Sequence, residues 1–303
     1  MTVDNIPTFT IYQNAVNGFN TLQTALSKVQ TQVATGSVAQ NFSDLGGSLS
    51  QSLSSETLVA SSNSYTTGNN FVITNVQSYA SVLQQLQSVD TQLQSALATQ
   101  RSASGPSNPL TQTATNLLQT VQGLLNTQSS SGQYIFSGSR TQTAPVSGLT
   151  ATTNLVNNVP TDNYYHGDDA TLTVQASAGI TVQYGIKADN AAFQNLIGSL
   201  NMAIQGANSK SDSTIASAVD LANQAESQIN SLMAANGDTL SQLQTANDNH
   251  ASDLAYLKNV LSNNLDTNIP AASVQVSQDT TDLTAAFQIF AKLSGLSLLN
   301  FLK

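Results

Sequence analysis

Residues 19–36 read FNTLQTALSKVQTQVATG. Phe19, Leu22, Leu26, Val29 and Val33 fall alternately three and four residues apart. An α-helix turns once in about 3.6 residues, so this spacing puts all five side chains on one stripe, in the rhythm of a coiled-coil seam. Thr35-Gly36 is a natural stop, because glycine takes the left-handed conformation that closes many helices at little steric cost. Residues 36–47 are rich in Gly, Ser and Asn and read as a loop. The chain therefore opens on a helix whose apolar stripe needs cover.

The same rhythm returns further along. A second helix is expected over residues 49–100, with Gly68-Asn69-Asn70 as a candidate interruption. Val72, Val76, Tyr79, Leu83, Leu86, Leu93 and Leu97 carry its seam, and Asp90 stands where another apolar residue is due. Ser102 to Pro109 (SASGPSNP) is a turn, with Asn108 suited to cap the next helix and Pro109 to its first position. That third helix shows Leu110, Ala114, Leu117, Val121 and Leu124 on one face.

At Ser131 the pattern changes. SGQYIFSGSRTQTAPV (131–146) combines Gly punctuation with aromatic and β-branched residues and reads as a β-turn or hairpin region. Residues 171–188 alternate strictly. Leu172, Val174 and Ala176 point one way, and Ile180, Val182, Tyr184 and Ile186 do the same after an Ala178-Gly179 turn, as in a half-buried hairpin. A short helix around Phe193, Leu196 and Leu200 leads back to a long one over residues 214–268. Its seam runs through Ile229, Leu232, Leu240, Leu243, His250, Leu254, Leu257 and Leu261, and keeps phase across Asn236-Gly237. Ile269-Pro270 breaks the chain. A final helix carries Leu283, Phe287, Phe290 and Leu293 on one face and ends in LSGLSLLNFLK, apolar nearly all round.

The fold class expected is mainly α with a small β insertion. The N- and C-terminal helices would pack as an elongated, coiled-coil-like bundle. Three regions follow: a helical one over 1–130, a β-rich outward-facing insertion over 131–190, and a second helical region over 191–303 that packs on the first. A terminus that is apolar on every side needs more cover than one partner helix gives. Neighbouring copies of the chain would supply it.

Composition points the same way. The chain has 303 residues, 40% of them hydrophobic, enough for a substantial core. Only 8% are charged, against roughly 25% in an ordinary soluble domain. Ser, Thr, Asn and Gln fill the polar positions instead, and neutral groups lose less than ions when buried against a neighbour. The net charge is −9 and the isoelectric point about 4.3. The eight basic residues are scattered, so no groove for phosphates is expected, and neither nucleic acid nor an anionic membrane surface is a partner. No apolar run is long enough for a transmembrane helix. The N-terminus has no basic start followed by an apolar stretch, so a cleaved general-secretory leader is not expected. Without cysteine there is neither a disulfide framework nor a thiolate metal site.

Four short stretches resemble the flagellin superfamily, and within it the hook-associated subunits. Gln32-Val33-Ala34-Thr35-Gly36 resembles the family's Gln-x-x-Thr-Gly at the end of the first helix. Gly132-Gln133-Tyr134-Ile135-Phe136-Ser137-Gly138-Ser139 resembles Gly-x-Tyr-Leu-Phe-Ser-Gly-Thr. Tyr165-His166-Gly167-Asp168 resembles the Tyr-x-Gly-Asp/Asn element before the hairpin. Ser297-Leu298-Leu299-Asn300-Phe301-Leu302 is similar to a Ser-Leu-Leu-Asp-Tyr-Leu ending. All four stand in the family's order. Two stretches depart. Ser43-Asp44-Leu45-Gly46 replaces the frequent Ser-Asp-Asp-Pro, and Ser241-Gln242-Leu243 stands where many members have Asn-Arg-Leu.

The resemblance implies a structural subunit at the junction between flagellar hook and filament, exported unfolded without signal cleavage and located outside the cell. Implied partners are copies of itself, a neighbouring hook-associated protein, flagellin, a cytoplasmic export chaperone and the flagellar export apparatus. The residues expected to carry helix packing and self-assembly are Phe19, Leu22, Leu26, Val29, Val33, Leu254, Leu257, Leu261, Leu283, Phe287, Phe290, Leu293, Leu296, Leu298, Leu299, Phe301 and Leu302. The alternatives are a filament flagellin and, from another class, a surface adhesive module in which Tyr164, Tyr165 and Tyr184 stack on a sugar. No cofactor, metal or catalytic residue is expected. His250 reads as a seam residue, Asp168 and Asp169 as solvated turn residues, and no serine can be paired with a base from the sequence.

Overall fold

The computed structural model describes residues 6–39, 41, 46–102, 109–150, 155–156, 159–160 and 164–301. Of these, residues 6–9, 11, 12, 102, 155, 156, 159, 160 and 293–301 are described by their backbone alone. Asn108 and Leu302 lie outside the described residues. The elements in order are α1 (Ile6–Thr35), α2 (Leu49–Ser102), α3 (Pro109–Leu125), β1 (Leu155–Val156), β2 (Val159–Pro160), β3 (Leu172–Ser177), β4 (Ile180–Tyr184), α4 (Ala191–Ser209), α5 (Asp212–Leu265) and α6 (Ile269–Phe301). The class is mainly α with a small antiparallel β component.

The chain forms two compact units. Unit 1 comprises Met1–Ala60 and Asp253–Lys303, and unit 2 comprises Ser61–Ser252. The divisions fall inside α2 and α5, whereas the regions read from the sequence change at 130 and 190, where helix gives way to strand and back.

Unit 2 holds the core. The seam of α2 from Val72 to Leu97 is buried, as are Leu110, Ala114, Leu117, Leu118, Val121 and Leu125 of α3. The α4 helix is buried nearly all round, from Ala192 to Ala207. Its ends are well made. The Asn190 side chain accepts a hydrogen bond from the Ala192 N–H at 3.0 Å, which satisfies one orphan donor of the first turn. At the other end Lys210 takes the left-handed conformation, with φ of 54°. Gly206 lets α5 fold back closely, since a Cβ there would stand 2.7 Å from Ile215 Cδ1.

Aromatic rings fill the centre. Phe136 meets Tyr79 edge-on at 5.2 Å and Phe193 at 5.9 Å. The Tyr79 hydroxyl donates to the Ile135 carbonyl at 2.5 Å.

The hairpin pairs Leu172 with Tyr184 and Val174 with Val182, with a bulge between Gln175 and Ser177. Gly179 makes the turn with φ of 76°. Ala176 and Val182 face inward and pack with Val72, Val76 and Leu243 in a second apolar cluster. Ile180 keeps the expected alternation but not the expected burial. It lies at the turn, beyond the cover of the helices, and is 57% exposed. Residues 131–146 form turns rather than a hairpin, held by the bridges Gln128–Tyr134 and Val146–Tyr165.

Neither candidate interruption breaks its helix. Asn69 is buried and its amide donates to the Ala176 carbonyl at 3.1 Å and to Asn247 Oδ1 at 3.0 Å. Asn236 is likewise buried and donates to the Val76 carbonyl at 2.8 Å. The polar side chains that weaken helix propensity are consumed by tertiary hydrogen bonds, which hold the helices continuous. His250 completes the set. It is buried, its Nε2–H donates to the Ala176 carbonyl at 2.8 Å, and its ring stacks on Tyr65 at 5.5 Å.

Phe193→Ala removes the ring at the centre of this core and should cost about 3–5 kcal/mol of unit 2 stability. Urea unfolding followed by tyrosine near-ultraviolet dichroism will measure it, because six of the eight tyrosines lie in that unit.

Candidate assembly surface

Unit 1 is built on different terms. Its α1 ends at Thr35, and Gly36 takes φ of 71°, as the Thr-Gly signal implies. The chain then pairs with the end of α5. Ser37 bridges Asp266, the Val38 N–H donates to the Leu265 carbonyl at 2.8 Å, and the Thr267 N–H donates to the Gly36 carbonyl at 2.8 Å. Asn268 caps α6, its side chain accepting from the Ala271 N–H at 3.1 Å. The break before α6 thus falls at Asp266–Asn268, and Pro270 sits in the first turn, where its missing N–H costs nothing.

Helices α1 and α6 pack on each other. Phe19 meets Phe287 edge-on, with ring centroids 4.6 Å apart. Yet the cover is thin. Phe19, Leu22, Leu26, Val29 and Val33 are all half-buried, and so are Leu254, Leu261, Leu283 and Phe290. Phe287 remains 53% exposed. Among the described residues, Leu257 is the one fully buried apolar side chain of unit 1; every other belongs to unit 2. Among the described residues, unit 1 also exposes Val38, Leu53, Leu58, Tyr256, Ile269, Val274, Phe287 and Ile289, while unit 2 exposes only Phe71 and Ile180 among large apolar side chains. Leu293, Leu296, Leu298, Leu299 and Phe301 lie on the last turns of α6, outside the described side chains.

The polar face of α1 is almost uncharged. Lys28 is the helix's single ion. With Asn20, Gln23, Thr24, Thr31 and Gln32 it lines a groove of about 720 Å³, closed on the far side by Ser37, Val38 and Ala39. Hydroxyls and amides of this kind can exchange water for a neighbour's polar groups at low cost.

The motifs at Gly138 and Gly167 meet in unit 2. The Asp168 N–H donates to the Ser137 carbonyl at 3.2 Å. The Asp168 carboxylate accepts from the Ser139 N–H at 2.8 Å, from the Ser139 hydroxyl and from the Ala170 N–H at 3.2 Å. These donors, with the Ser139 hydroxyl foremost, hold its carboxyl below the ordinary range. Asp168, half-buried and still open to solvent, is in addition a clasp between the two motifs. Asp169 is the exposed one; its carboxylate accepts from Lys187 Nζ at 2.6 Å, which holds the ammonium pKa up.

Both glycines are required by close approach. Gly138 has φ of 66°, and a Cβ there would stand 2.7 Å from the Asp168 carbonyl oxygen and nearer still to its carboxylate. A Cβ at Gly167 would stand 2.6 Å from the Ser137 carbonyl oxygen. Two motif tyrosines are occupied as well. Tyr164 is buried and donates to the Ala188 carbonyl at 3.2 Å; the Tyr165 hydroxyl donates to the Asp168 carbonyl at 2.8 Å. Burial takes the Tyr164 ring away from any sugar, while Tyr165 and Tyr184 are half-buried.

One pairing was invisible in the sequence. Ser147 Oγ and His166 Nε2 stand 2.6 Å apart across the Val146–Tyr165 bridge. Nucleophilic catalysis needs donors aimed at a developing charge in a water-excluded site, and both side chains of this pair are exposed. Its evident role is to secure the bridge. Among the described residues, no helix is long and apolar enough to cross a membrane.

Residues 6–141 match the family model for the bacterial flagellin N-terminal helical region. The fold is that of solved hook-associated proteins. A flagellar hook-associated protein of Vibrio parahaemolyticus superposes with a TM-score of 0.63 at 14% identity, covering 74% of this chain and 100% of its own. FlgL of Xanthomonas campestris superposes with a TM-score of 0.54 at 14% identity, covering 69% of this chain and 99% of its own. No curated protein matches by sequence.

Gly138→Ala should loosen the clasp by about 1–3 kcal/mol, the range for a residue forced into a sparsely populated backbone region. The measurement is the urea midpoint of unit 2. Asp168→Ala should lower the same midpoint.

Proposed function

We propose that the chain is a non-enzymatic structural subunit of the bacterial flagellum, forming the junction between hook and filament and assembling through its terminal helices. One observation carries this reading. Unit 2 closes its apolar seam with its own side chains, while unit 1 leaves the same kind of seam half-covered. Each apolar side chain of that seam gains roughly 1.5–3 kcal/mol when fully buried. A ring of copies would bury these stripes and offset the entropy of ordering the terminal segments.

The flagellin N-terminal region and the hook-associated fold support the same assignment. In it, Phe19, Leu22, Leu26, Val29 and Val33 of α1 and Leu283, Phe287, Phe290 and Leu293 of α6 hold the helix pair together. Leu254, Leu257 and Leu261 of α5 extend it. The end of the chain, Leu296, Leu298, Leu299, Phe301 and Leu302, docks between neighbouring subunits. The neighbours would be copies of the chain, another hook-associated protein and flagellin. Before assembly, an export chaperone would hold the C-terminal segment, and the flagellar export apparatus would carry the unfolded chain out without cleavage of a leader.

Removing residues 296–303 should leave unit 2 folded and abolish incorporation into flagella. Circular dichroism of the purified variant and electron microscopy of the strain read the two effects separately. An intact flagellum from that strain would refute the docking role. In the whole protein, amide exchange in the first and last thirty or so residues should be fast in the monomer and slow after assembly. Immunogold labelling should mark one short zone of the flagellum; labelling along the whole filament would assign the chain to bulk flagellin instead.

A further inference from the structure

The α2 seam is apolar from Val72 to Leu97 except at Asp90. That carboxyl is 1% exposed, set between Val89 and Leu93 in the main core. One turn on, the Gln94 amide donates to Asp90 Oδ2 at 2.7 Å and also to Glu226 Oε2 of α5 at 3.1 Å. A single amide thus bridges two carboxyl groups from two helices. The other oxygen, Asp90 Oδ1, is buried with no hydrogen-bond partner.

Among the described residues, no cation balances this pair. Helices α3 and α4 contain no titratable side chain. In unit 2 the remaining acids of α5, Asp212, Asp220, Asp238 and Asp248, are exposed, and His250 is engaged at the Ala176 carbonyl. On α2 itself, Tyr65 stacks on His250, Tyr79 donates to Ile135, and Arg101 lies exposed three turns beyond Asp90. Glu226 is the one charged group acting on Asp90, and it has the same sign.

We infer that Asp90, Gln94 and Glu226 form a pH-sensitive latch between α2 and α5, tight while Asp90 is protonated and loosened when it ionises. Burial is the main cause, with repulsion from Glu226 added and the Gln94 hydrogen bond opposing; together they push the Asp90 carboxyl up to about 7. In the unfolded chain the same carboxyl ionises in the ordinary acidic range. Between those limits the folded protein binds the extra proton. Unit 2 therefore loses stability as pH rises through that window, and above neutrality the loss is complete. The latch lies wholly within unit 2 and does not depend on the flagellar assignment.

Urea unfolding of the full chain between pH 5 and 8, read by tyrosine near-ultraviolet dichroism, tests the latch. The unfolding constant should rise by up to about tenfold per pH unit, the slope for one proton. Asp90→Asn should flatten that rise, and titrations not coupled to Asp90 cancel in the difference between the two proteins. Asp168, held low by its donors, titrates below this window. Asp90→Leu serves if the Asn variant does not fold, since it restores an apolar seam and removes the proton. Glu226→Gln should move the fall to lower pH by removing the like charge. Equal slopes in the wild-type chain and both Asp90 variants would overturn the latch, as would a Glu226→Gln profile that does not move.

Discussion

A helix with one apolar stripe is held in place by whatever covers that stripe, and the supply of cover decides how each part of this chain is built. Around α2 the supply is generous. The α3 and α4 helices, the first half of α5 and the hairpin all present apolar faces, and the seam from Val72 to Leu97 disappears beneath them. Around α1 the supply is one helix, α6, with the pairing of Gly36–Val38 and the end of α5. The intrinsic stripes of α1 and α2 are alike in spacing. What differs is the number of neighbours, so the contrast in burial arises from packing and not from helix propensity. A seam left half-covered is a feature of chains that meet other chains, because solitary domains rarely expose contiguous apolar surface.

Between the helical stretches, the insertion is stabilised mainly by fitted backbone. Two motifs about thirty residues apart in sequence are fastened by one aspartate, and each contributes a glycine where no side chain would fit. Phe136, within the first motif, is driven into the main core between Tyr79 and Phe193. The Ala188 N–H donates to the Phe136 carbonyl, and Tyr164 donates to the Ala188 carbonyl. The segment therefore needs little regular strand. Its irregular backbone finds partners in side chains and in neighbouring turns, as buried polar groups must.

How much of this is legible in the sequence follows from the range of the interactions involved. The seams, the Thr-Gly stop and the 172–184 hairpin depend on neighbours within a turn or two, and period alone reveals them. The continuity of α2 past Asn69-Asn70 depends on Asn247, 177 or more positions away, and on the Ala176 carbonyl. No local pattern carries that information. The clasp made by Asp168 was hidden because its donors at Ser139 are distant in sequence. Ile180 follows the alternation yet is exposed, since alternation assigns a face and not how far the covering helices extend. The Ser147–His166 contact is of the same long-range kind. Of the assembly surface, the helices and their apolar stripes were readable, whereas the poverty of cover in unit 1 emerges only once every packing partner is in place.

The polar residues inside unit 2 then take on a common meaning. Asn69, Asn236 and His250 sit at points where the hairpin or the opposing helix could slide along an otherwise uniform row of Leu and Val. Each donates to one particular carbonyl, and a shift by one turn would strand that donor in the core. An uninterrupted apolar seam has no such preference, which is why buried polar groups are the best-attested means of fixing register in paired helices. Asp90 differs from the others in being ionisable. Its hydrogen bond to Gln94 stays within α2; the same amide crosses to α5 by donating to Glu226. The amide that ties α2 to α5 is thus shared with a carboxyl whose charge cost depends on the proton it carries.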